Sequence, residues 1–167
     1  LSFFGGWRLL VLHLQLSLHR PFMPLSWNEI KSRAIAFSRT WATEHSEHAE
    51  AKSFWDDFFN VFGISRRRVA SFEWAVKKAD NKQGFIDLLW KGVMLVEHKS
   101  KGKDLDKAAQ QAKDYFAGLK EHELPKYVLV SDFQRFRLYA PFFTPSKLSL
   151  TNTAHPIINK GIQILWW

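Results

Sequence analysis

The sequence predicts an α/β protein in which helices pack on a small mixed sheet, because the spacing of its apolar residues changes along the chain. Apolar residues recur at helical spacing across residues 26–62, follow strand patterns across 72–99, and return to helical spacing across 105–120. Two short apolar runs, 127–130 and 136–139, follow a proline. The resulting order of helix, helix, three strands, helix and two strands is typical of an α/β sandwich.

The first two helices have sequence signals at their ends. Ser26 precedes Glu29 by three residues, which is the spacing of a capping box, and apolar residues then continue at helical spacing to Trp41. The second helix is expected from Glu47 to Phe62, where Gly63 suits the left-handed position that ends many helices. Each helix presents one apolar stripe, which we expect to face the sheet.

The middle of the chain predicts three strands. Residues 72–76 alternate between apolar and polar or small side chains, and the turn-forming segment 81–84 follows. The apolar runs 85–90 and 93–99 are separated by Lys91-Gly92, which predicts a hairpin. Side chains alternate between the faces of a strand, so each strand of this hairpin is expected to place one set of three or four residues on a common face: Phe85, Asp87 and Leu89 on the first, and Val93, Leu95, Glu97 and Lys99 on the second.

Composition sets the broad class of protein. The 167 residues are 46% hydrophobic and 24% charged, which suits one globular domain. The absence of cysteine excludes disulfide frameworks and thiolate metal sites, and it favours a cytoplasmic protein. No apolar segment reaches the ~20 residues that a transmembrane helix requires, so we expect no membrane partner. The oligomeric state is left open.

The distribution of acidic residues suggests where the domain begins and ends. All 16 Asp and Glu lie within residues 23–139, whereas the first 22 and the last 28 residues contain none. We therefore expect one domain across 23–139, beginning at Met23. Residues 1–22 and 140–167 are expected to be non-native or disordered extensions, as in a truncated gene product.

Two carboxylates on the predicted hairpin indicate a metal site. If Lys91 to Val93 form the loop, Asp87 lies directly across from Glu97, and a two-residue loop shifts this pairing by one position. Two carboxylates within ~5 Å across a sheet repel each other unless a cation or a proton lies between them. A hard divalent ion, most commonly Mg²⁺ near phosphates, is the expected occupant.

Lys99 adds a functional cation to this carboxylate pair. It follows Glu97 by two residues and shares its face of the strand, so its ammonium is expected beside the metal. There it can orient an attacking water or stabilise the negative charge that grows on a phosphate. With Asp87, the pattern predicts a PD-(D/E)xK nuclease that hydrolyses DNA, although a Glu-x-Lys by itself is more often a solvated strand end.

The same part of the chain resembles a known family. It is similar to the N-terminal nuclease module of MmeI-like restriction–modification enzymes in five segments: 54–63, 84–87, 97–105, 111–115 and 127–133. The resemblance covers residues 26–139 and implies a restriction-endonuclease-like α/β/α sandwich around a small mixed sheet. It also implies that Asp87, Glu97 and Lys99 are the catalytic residues. Those enzymes carry an adenine-N6 DNA methyltransferase that uses S-adenosylmethionine, and the motifs of that domain do not occur here.

Glu50 is a predicted further metal ligand. It lies one turn before Phe54 on the stripe that faces the sheet, and many relatives place a glutamate on this helix to reach the metal directly or through water. Glu47, one turn earlier, is an alternative. A surface carboxylate near the start of a helix is the other explanation.

Gln111 and Tyr115 are predicted to belong to the site as well. They are four residues apart and therefore lie on one face of their helix. Their Gln-x-x-x-Tyr spacing resembles an element of RecB-like nucleases that touches DNA or the active site. An amphipathic helix with a buried tyrosine is the alternative.

Basic residues favour double-stranded DNA as the partner. Arg66-Arg67-Arg68, Lys77-Lys78 and Lys101 with Lys103 form a basic periphery, and such side chains bind phosphates without reading bases. A solvated basic face is the alternative. Three functions remain open: the nuclease of a truncated restriction–modification protein, another nuclease of the superfamily such as a RecB-like enzyme, and a non-catalytic DNA-binding fragment.

Overall fold

The computed structural model describes residues 25–44, 47–78, 80–139 and 162–165, which form an α/β domain. Its helices are α1 (Trp27–Trp41), α2 (Glu47–Val61), α3 (Arg66–Val69) and α4 (Leu105–Asp114). Its strands are β1 (Ser71–Lys77), β2 (Gln83–Trp90), β3 (Met94–His98), β4 (Tyr127–Ser131), β5 (Arg135–Tyr139) and β6 (Ile162–Leu165). Two short 3-10 turns, Phe116–Gly118 and Glu121–Glu123, lie between α4 and β4.

The strands join one sheet in the order β1-β2-β3-β4-β5-β6. Neighbouring strands are antiparallel except β3 and β4, which are parallel and are connected through α4, so the predicted mixed sheet is confirmed. Strand β6 was not expected, and all four of its residues pair with β5. Residues 1–22 and the rest of 140–167 lie outside the described residues, so the predicted domain limits stay a prediction.

The ends of the first two helices follow their sequence signals. The side chain of Ser26 accepts a hydrogen bond from the backbone N–H of Glu29 at 3.2 Å, which caps α1. After α2, Gly63 has a φ of +71°. The backbone N–H of Ile64 donates to the carbonyl of Phe59 at 3.0 Å, and that of Gly63 donates to Asn60 at 3.0 Å. This is the Schellman arrangement expected of a glycine in that position.

Two apolar cores lie on opposite faces of the sheet and create three layers. One core joins α1 and α2 to the sheet and is rich in aromatic side chains, including Phe37, Phe54 and Phe136. The other core joins α4 to the opposite face through small and branched residues such as Ala112 and Leu95. These layers confirm the predicted α/β/α sandwich, and we refer to the two sides as the aromatic face and the α4 face.

The third long helix ends earlier than predicted. Helical spacing continued to Lys120, but α4 ends at Asp114 and a 3-10 turn follows. Within that turn, a Cβ added at Gly118 would lie 2.1 Å from the carbonyl oxygen of Lys77. The chain leaves the helix to bring this glycine against β1, a tertiary contact that local spacing does not reveal.

Strand β2 is distorted at Asp87, which corrects the prediction of simple alternation from Phe85 to Leu89. Ile86 packs in the core of the α4 face, whereas Leu88, two residues later, packs in the aromatic core. The expected partner of Asp87 on β1 is Glu73, but this pair is missing from an otherwise regular register. Glu73 has a φ of +51°, which is rare for a residue with a side chain. The ladder is therefore interrupted where Asp87 lies.

Candidate active site

The hairpin of β2 and β3 brings Asp87 and Glu97 to opposite positions. Its loop comprises residues 91–93 and is closed by a hydrogen bond from the backbone N–H of Val93 to the carbonyl of Trp90 at 3.0 Å. Leu88 pairs with Val96, so Asp87 and Glu97 are the next positions in the same register. The loop length on which this predicted pairing depended is confirmed.

The Asp87 carboxylate is fixed against the end of β3. Its Oδ2 accepts a hydrogen bond from the backbone N–H of His98 at 2.6 Å. The pairing of the two strands stops one residue earlier, at Leu88 and Val96, so a side chain rather than a strand carbonyl supplies this acceptor. The interruption of β2 thus places a half-buried carboxylate between two strands.

Glu97 is buried and its charge is neutralised by Lys99. The Lys99 Nζ lies 2.5 Å from Glu97 Oε1, and the two side chains are 22% and 1% exposed. Removing a carboxylate from water costs several kcal/mol of free energy unless a nearby cation or hydrogen bonds compensate. The predicted common face of these two residues is confirmed by this contact.

Gln111 and Tyr115 reach the same cluster from α4. The Gln111 Nε2 donates a hydrogen bond to the hydroxyl oxygen of Tyr115 at 2.7 Å. Burial raises the pKa of Tyr115, the Gln111 hydrogen bond opposes this, and the negative charges of Glu97 and Asp87 raise the pKa further. The phenol is therefore protonated at neutral pH and retains an O–H to donate. Tyr115 lies close enough to the carboxylates for their charges to act on its pKa, and Gln111 is joined to Tyr115 by the hydrogen bond.

The two carboxylates suit a hard divalent cation. Mg²⁺ is commonly held by one or two protein carboxylates and keeps several of its waters, and Asp87 with Glu97 supplies that number. In the described segments, no group of three or more His, Cys, Asp or Glu side chains is arranged to hold a metal. The role of Glu50 as a further ligand, directly or through water, stays a prediction. The side chain of Glu47 lies outside the described residues.

The predicted DNA-contacting arginines divide into two kinds. The guanidinium of Arg66 pairs with Asp56 at 2.6 Å and lies over the ring of Phe72 at 4.1 Å. Arg66 therefore ties α3 to α2 and β1, which corrects its predicted role in phosphate contact. Arg67 and Arg68 are exposed.

The predicted lysines lie on the loop that follows β3. Lys101 and Lys103 are exposed, two and four residues after Lys99. Their contact with DNA stays a prediction.

The sequence analysis missed Asp132 and Arg135, which hold that loop. Asp132 is 1% exposed and accepts hydrogen bonds from the Arg135 guanidinium and, at 3.0 Å, from the backbone N–H of Gly102. Arg135 also donates to the carbonyl of Lys103 at 2.9 Å. The sequence signal for Asp132 was an acid directly after an apolar strand. An acid in that position lies near the end of β3, because the carboxyl ends of the parallel strands β3 and β4 meet at one edge of the sheet.

His98 belongs to the aromatic face. It is fully buried, and its ring lies 4.4 Å from that of Phe133 and 5.1 Å from that of Phe54. Burial lowers its pKa to about 3, so the imidazole is neutral. Although it is adjacent to Glu97 in the sequence, it faces away from the cluster.

None of the helices in the described segments has the length and apolar character needed to cross a membrane.

Comparisons with known proteins bear on the family. The sequence profile described as "MmeI, N-terminal domain" matches residues 32–152. No curated protein matches the chain. A solved structure described as "cryoEM structure DrdV-DNA complex" is similar over 66% of this chain, with a TM-score of 0.40 and 12% sequence identity. The chain spans 11% of the length of that protein.

Proposed function

This chain belongs to the MmeI N-terminal domain family, and from that membership we propose that it is a metal-dependent nuclease module that hydrolyses phosphodiester bonds of double-stranded DNA. The observation that carries the proposal is the buried Glu97–Lys99 pair, placed across a hairpin from Asp87. Two carboxylates and one lysine at the end of a strand pair are suited to a phosphate, a divalent cation and a water. An ion pair that only stabilised the fold would not require the second carboxylate.

Hydrolysis of a phosphodiester requires a water to attack phosphorus while an alkoxide leaves. Mg²⁺ held by Asp87 and Glu97 would neutralise phosphate charge and lower the pKa of a bound water. Lys99 donates hydrogen bonds from its ammonium, either to the attacking water or to a phosphate oxygen that gains negative charge in the transition state. Its contact with Glu97 keeps that ammonium at the cluster before substrate arrives.

Gln111 and Tyr115 orient the substrate in this proposal. The Tyr115 oxygen already accepts a hydrogen bond from Gln111, so its own O–H is directed elsewhere. A protonated phenol beside two carboxylates can donate to a phosphate oxygen without adding negative charge. Gln111 fixes the position of this donor, which restricts the phosphate to one orientation.

Exposed cations supply the sequence-independent part of DNA binding. Lys101 and Lys103 follow the catalytic lysine, and Arg67 and Arg68 lie near the start of β1. Contacts of this type neutralise phosphates and give an affinity that falls with salt concentration. They position the duplex but do not select its sequence.

Cleavage of closed circular plasmid DNA in Mg²⁺ tests the proposal. We expect the unmodified chain to nick or linearise the plasmid, Asp87→Asn to abolish cleavage, and Glu121→Gln, which alters an exposed acid, to leave it unchanged. Calorimetric titration with Mg²⁺ should show binding that Asp87→Asn removes. Cleavage by Asp87→Asn at the unmodified rate, or no cleavage by the unmodified chain, would contradict the proposal.

A RecB-like nuclease is the second candidate, and the Gln111–Tyr115 hydrogen bond favours it. The plasmid assay separates the two, since an enzyme that acts on DNA ends should degrade linear DNA and leave closed circles intact. Cutting of closed circles supports a restriction–modification role. In that role, the methylation that uses S-adenosylmethionine would be carried out by a different part of the protein.

A further inference from the structure

We propose that a basic cleft beside the candidate active site, lined by Lys77 and Lys78, binds a backbone phosphate of the DNA strand that is cut. This inference rests on the proposed nuclease function and adds a substrate subsite to it. The cleft lies where the β1–β2 hairpin meets the 3-10 turn Phe116–Gly118, and its volume is about 610 Å³. Its chemistry, its walls and its position relative to Asp87 all point to the same ligand.

The polar groups that line the cleft match a phosphate. Lys77 and Lys78 supply positive charge, and Asn81 and Gln83 supply amide donors. No carboxylate lines the cleft among the described residues. The nearby acid Asp80 is already paired with Lys82, whose Nζ lies 3.3 Å from its carboxylate. Asp80 also feels the charge of Lys78, so one carboxylate is shared by two lysines while Lys77 adds a third positive charge, and this excess of positive charge favours an anionic ligand.

The walls of the cleft are fixed by close backbone packing. Gly118 approaches β1 so closely that an added Cβ would lie 2.1 Å from the Lys77 carbonyl oxygen and 2.9 Å from the Lys77 nitrogen. Both atoms belong to the backbone and cannot move without shifting the strand. The backbone position of Lys77 is therefore set before any ligand binds, so that only its side chain remains to be ordered.

Lys78 connects the cleft to the catalytic cluster. Its Nζ lies 5.3 Å from the centre of the Tyr115 ring, within the range of a cation–π interaction. Gly84 makes room for this packing, because a Cβ there would lie 2.6 Å from Lys78 Cε and 2.8 Å from Tyr115 Cε1. Tyr115 in turn is influenced by the charges of Glu97 and Asp87. A strand of DNA held at the carboxylates can therefore continue into the cleft.

The distance along β2 indicates which phosphate would occupy the cleft. Gly84 precedes Asp87 by three residues, which is about 10 Å along an extended strand. Successive nucleotides of one DNA strand are about 3.4 Å apart along the helix axis. Because the strand also winds around this axis, neighbouring phosphates are farther apart through space than the axial rise, so the cleft is placed for a phosphate one or two nucleotides from the one that is cut.

The experiment measures affinity of the full chain for a duplex oligonucleotide at several salt concentrations, without added divalent metal, so that binding is scored apart from cleavage. The double variant Lys77→Gln with Lys78→Gln is compared with Lys82→Gln, an adjacent lysine whose side chain is 80% exposed. We expect the double variant to reduce the slope of log affinity against log salt by roughly 1 to 2, which corresponds to one or two lost phosphate contacts. Lys82→Gln should leave the slope unchanged. Thermal melting of each variant verifies that it is folded.

A second measurement places the ligand along the DNA. A neutral methylphosphonate is introduced at one position at a time near the cut, and it should weaken binding of the unmodified chain at the first or second phosphate from the cut. The double variant should be insensitive to the same substitution, because the contact is already lost. Equal effects of Lys77→Gln/Lys78→Gln and Lys82→Gln would overturn the subsite, as would competition by millimolar inorganic phosphate that is as strong as competition by DNA.

The outcomes separate this inference from the proposed function. Lysine-dependent binding without Mg²⁺-dependent cleavage would support the subsite and contradict the nuclease. Cleavage with no special effect of Lys77 and Lys78 would support the nuclease and contradict the subsite. A chain that binds no duplex DNA would contradict both.

Discussion

Glu97 and His98 are neighbours on β3, and together they show how differently the two faces of one sheet are used. Both residues are fully buried. Glu97 faces the α4 side, where its charge is met by the ammonium of Lys99 at 2.5 Å. His98 faces the aromatic side, where burial holds its pKa near 3 and keeps it uncharged. Lys99 compensates for the buried charge of Glu97. His98 has no partner strong enough to offset the cost of burying a charge, so it stays neutral.

This difference assigns separate tasks to the two faces. Rings on the aromatic face touch one another at centroid distances such as 5.0 Å for Phe37 and Phe54, so this face stabilises the fold through apolar burial and packing. The α4 face holds charged and polar groups whose burial is costly, and groups of this kind are often retained at functional sites. We therefore expect substitutions on the aromatic face to lower stability, and substitutions in the carboxylate cluster to lower the cleavage rate.

Phe54→Ala is expected to have the largest effect on stability. Phe54 is fully buried and contacts the rings of Phe37, Trp41, Phe133 and Phe136. Removing a buried phenylalanine typically lowers the free energy of unfolding by about 3–5 kcal/mol. Urea denaturation provides the measurement. Phe85→Ala is the matched control, because Phe85 is 55% exposed and should change the free energy by less than about 0.5 kcal/mol. Similar losses for both substitutions would show that the aromatic face is not the stabilising one.

Lys99→Ala tests the other face. If Lys99 stabilises charge in the transition state, its removal should lower the cleavage rate by roughly 10²–10³, or about 3–4 kcal/mol, with a small change in DNA affinity. Lys101→Ala removes an exposed cation from the same loop and should instead weaken binding modestly with a lower salt dependence. Rates and affinities of both variants are the measurement. Equal, small effects of the two substitutions on rate and affinity would show that Lys99 is only part of a basic surface.

A melting experiment on Lys99→Ala separates a metal role of the cluster from a purely structural one. Without the ammonium, Glu97 loses the contact that compensates for its burial, so the melting temperature should fall in the absence of divalent metal. Added Mg²⁺ should recover part of that loss, because a ligand that binds only the native state stabilises it. If Mg²⁺ raised the melting temperature equally when Asp87→Asn is present, a metal site shared by Asp87 and Glu97 would be contradicted.

Local patterns in the sequence were sufficient for the placement of the catalytic candidates. Alternation along β3 put Glu97 and Lys99 on one face, and the three-residue hairpin loop set Asp87 across from Glu97. Helical spacing likewise placed Gln111 and Tyr115 together. These features depend on neighbours within a few residues, so periodicity captures them.

The features that the sequence did not reveal depend on contacts between distant segments. Asp132 and Arg135 hold a loop about 30 residues earlier in the chain, and α4 ends early because Gly118 must meet β1. Arg66 was predicted to contact DNA from its place in a basic run, but its contacts with Asp56 and Phe72 come from other segments of the chain. The left-handed backbone of Glu73 carries no sequence signal, because glutamate rarely adopts it.

The stability of the protein should depend on pH through His98. Its native pKa is about 3 and its ordinary value is 6.5, so the unfolded chain takes up the proton first as the pH falls. The contribution of neutral His98 is therefore fully present above pH 6.5 and is lost progressively as the pH falls from 6.5 toward 3. Each pH unit within that window should cost about 1.4 kcal/mol from this group.

His98→Leu provides the comparison for this pH dependence. Leucine keeps an apolar side chain among the same rings but cannot bind a proton, so the curve of stability against pH should become flatter between pH 6.5 and 4. Denaturation at a series of pH values gives both curves. Parallel curves for the two proteins would show that other groups cause the acid sensitivity.

The smallest effect is expected at Glu73, where the backbone distortion lies opposite Asp87. Valine is ordinarily preferred over glycine in strands by up to about 1 kcal/mol. At the φ of +51° of Glu73, a β-branched side chain collides with the backbone, whereas glycine does not. We therefore expect Glu73→Gly to be more stable than Glu73→Val by about 1 kcal/mol, since a left-handed conformation costs side-chain-bearing residues roughly 1–2 kcal/mol.

Ala75 is exposed on the same strand, and its φ is not positive, so Ala75→Val and Ala75→Gly should show the ordinary order. Denaturation of the four variants measures the reversal directly. The same order at both positions would mean that β1 relaxes at Glu73, and that the interruption of the strand at Asp87 is not maintained by the backbone.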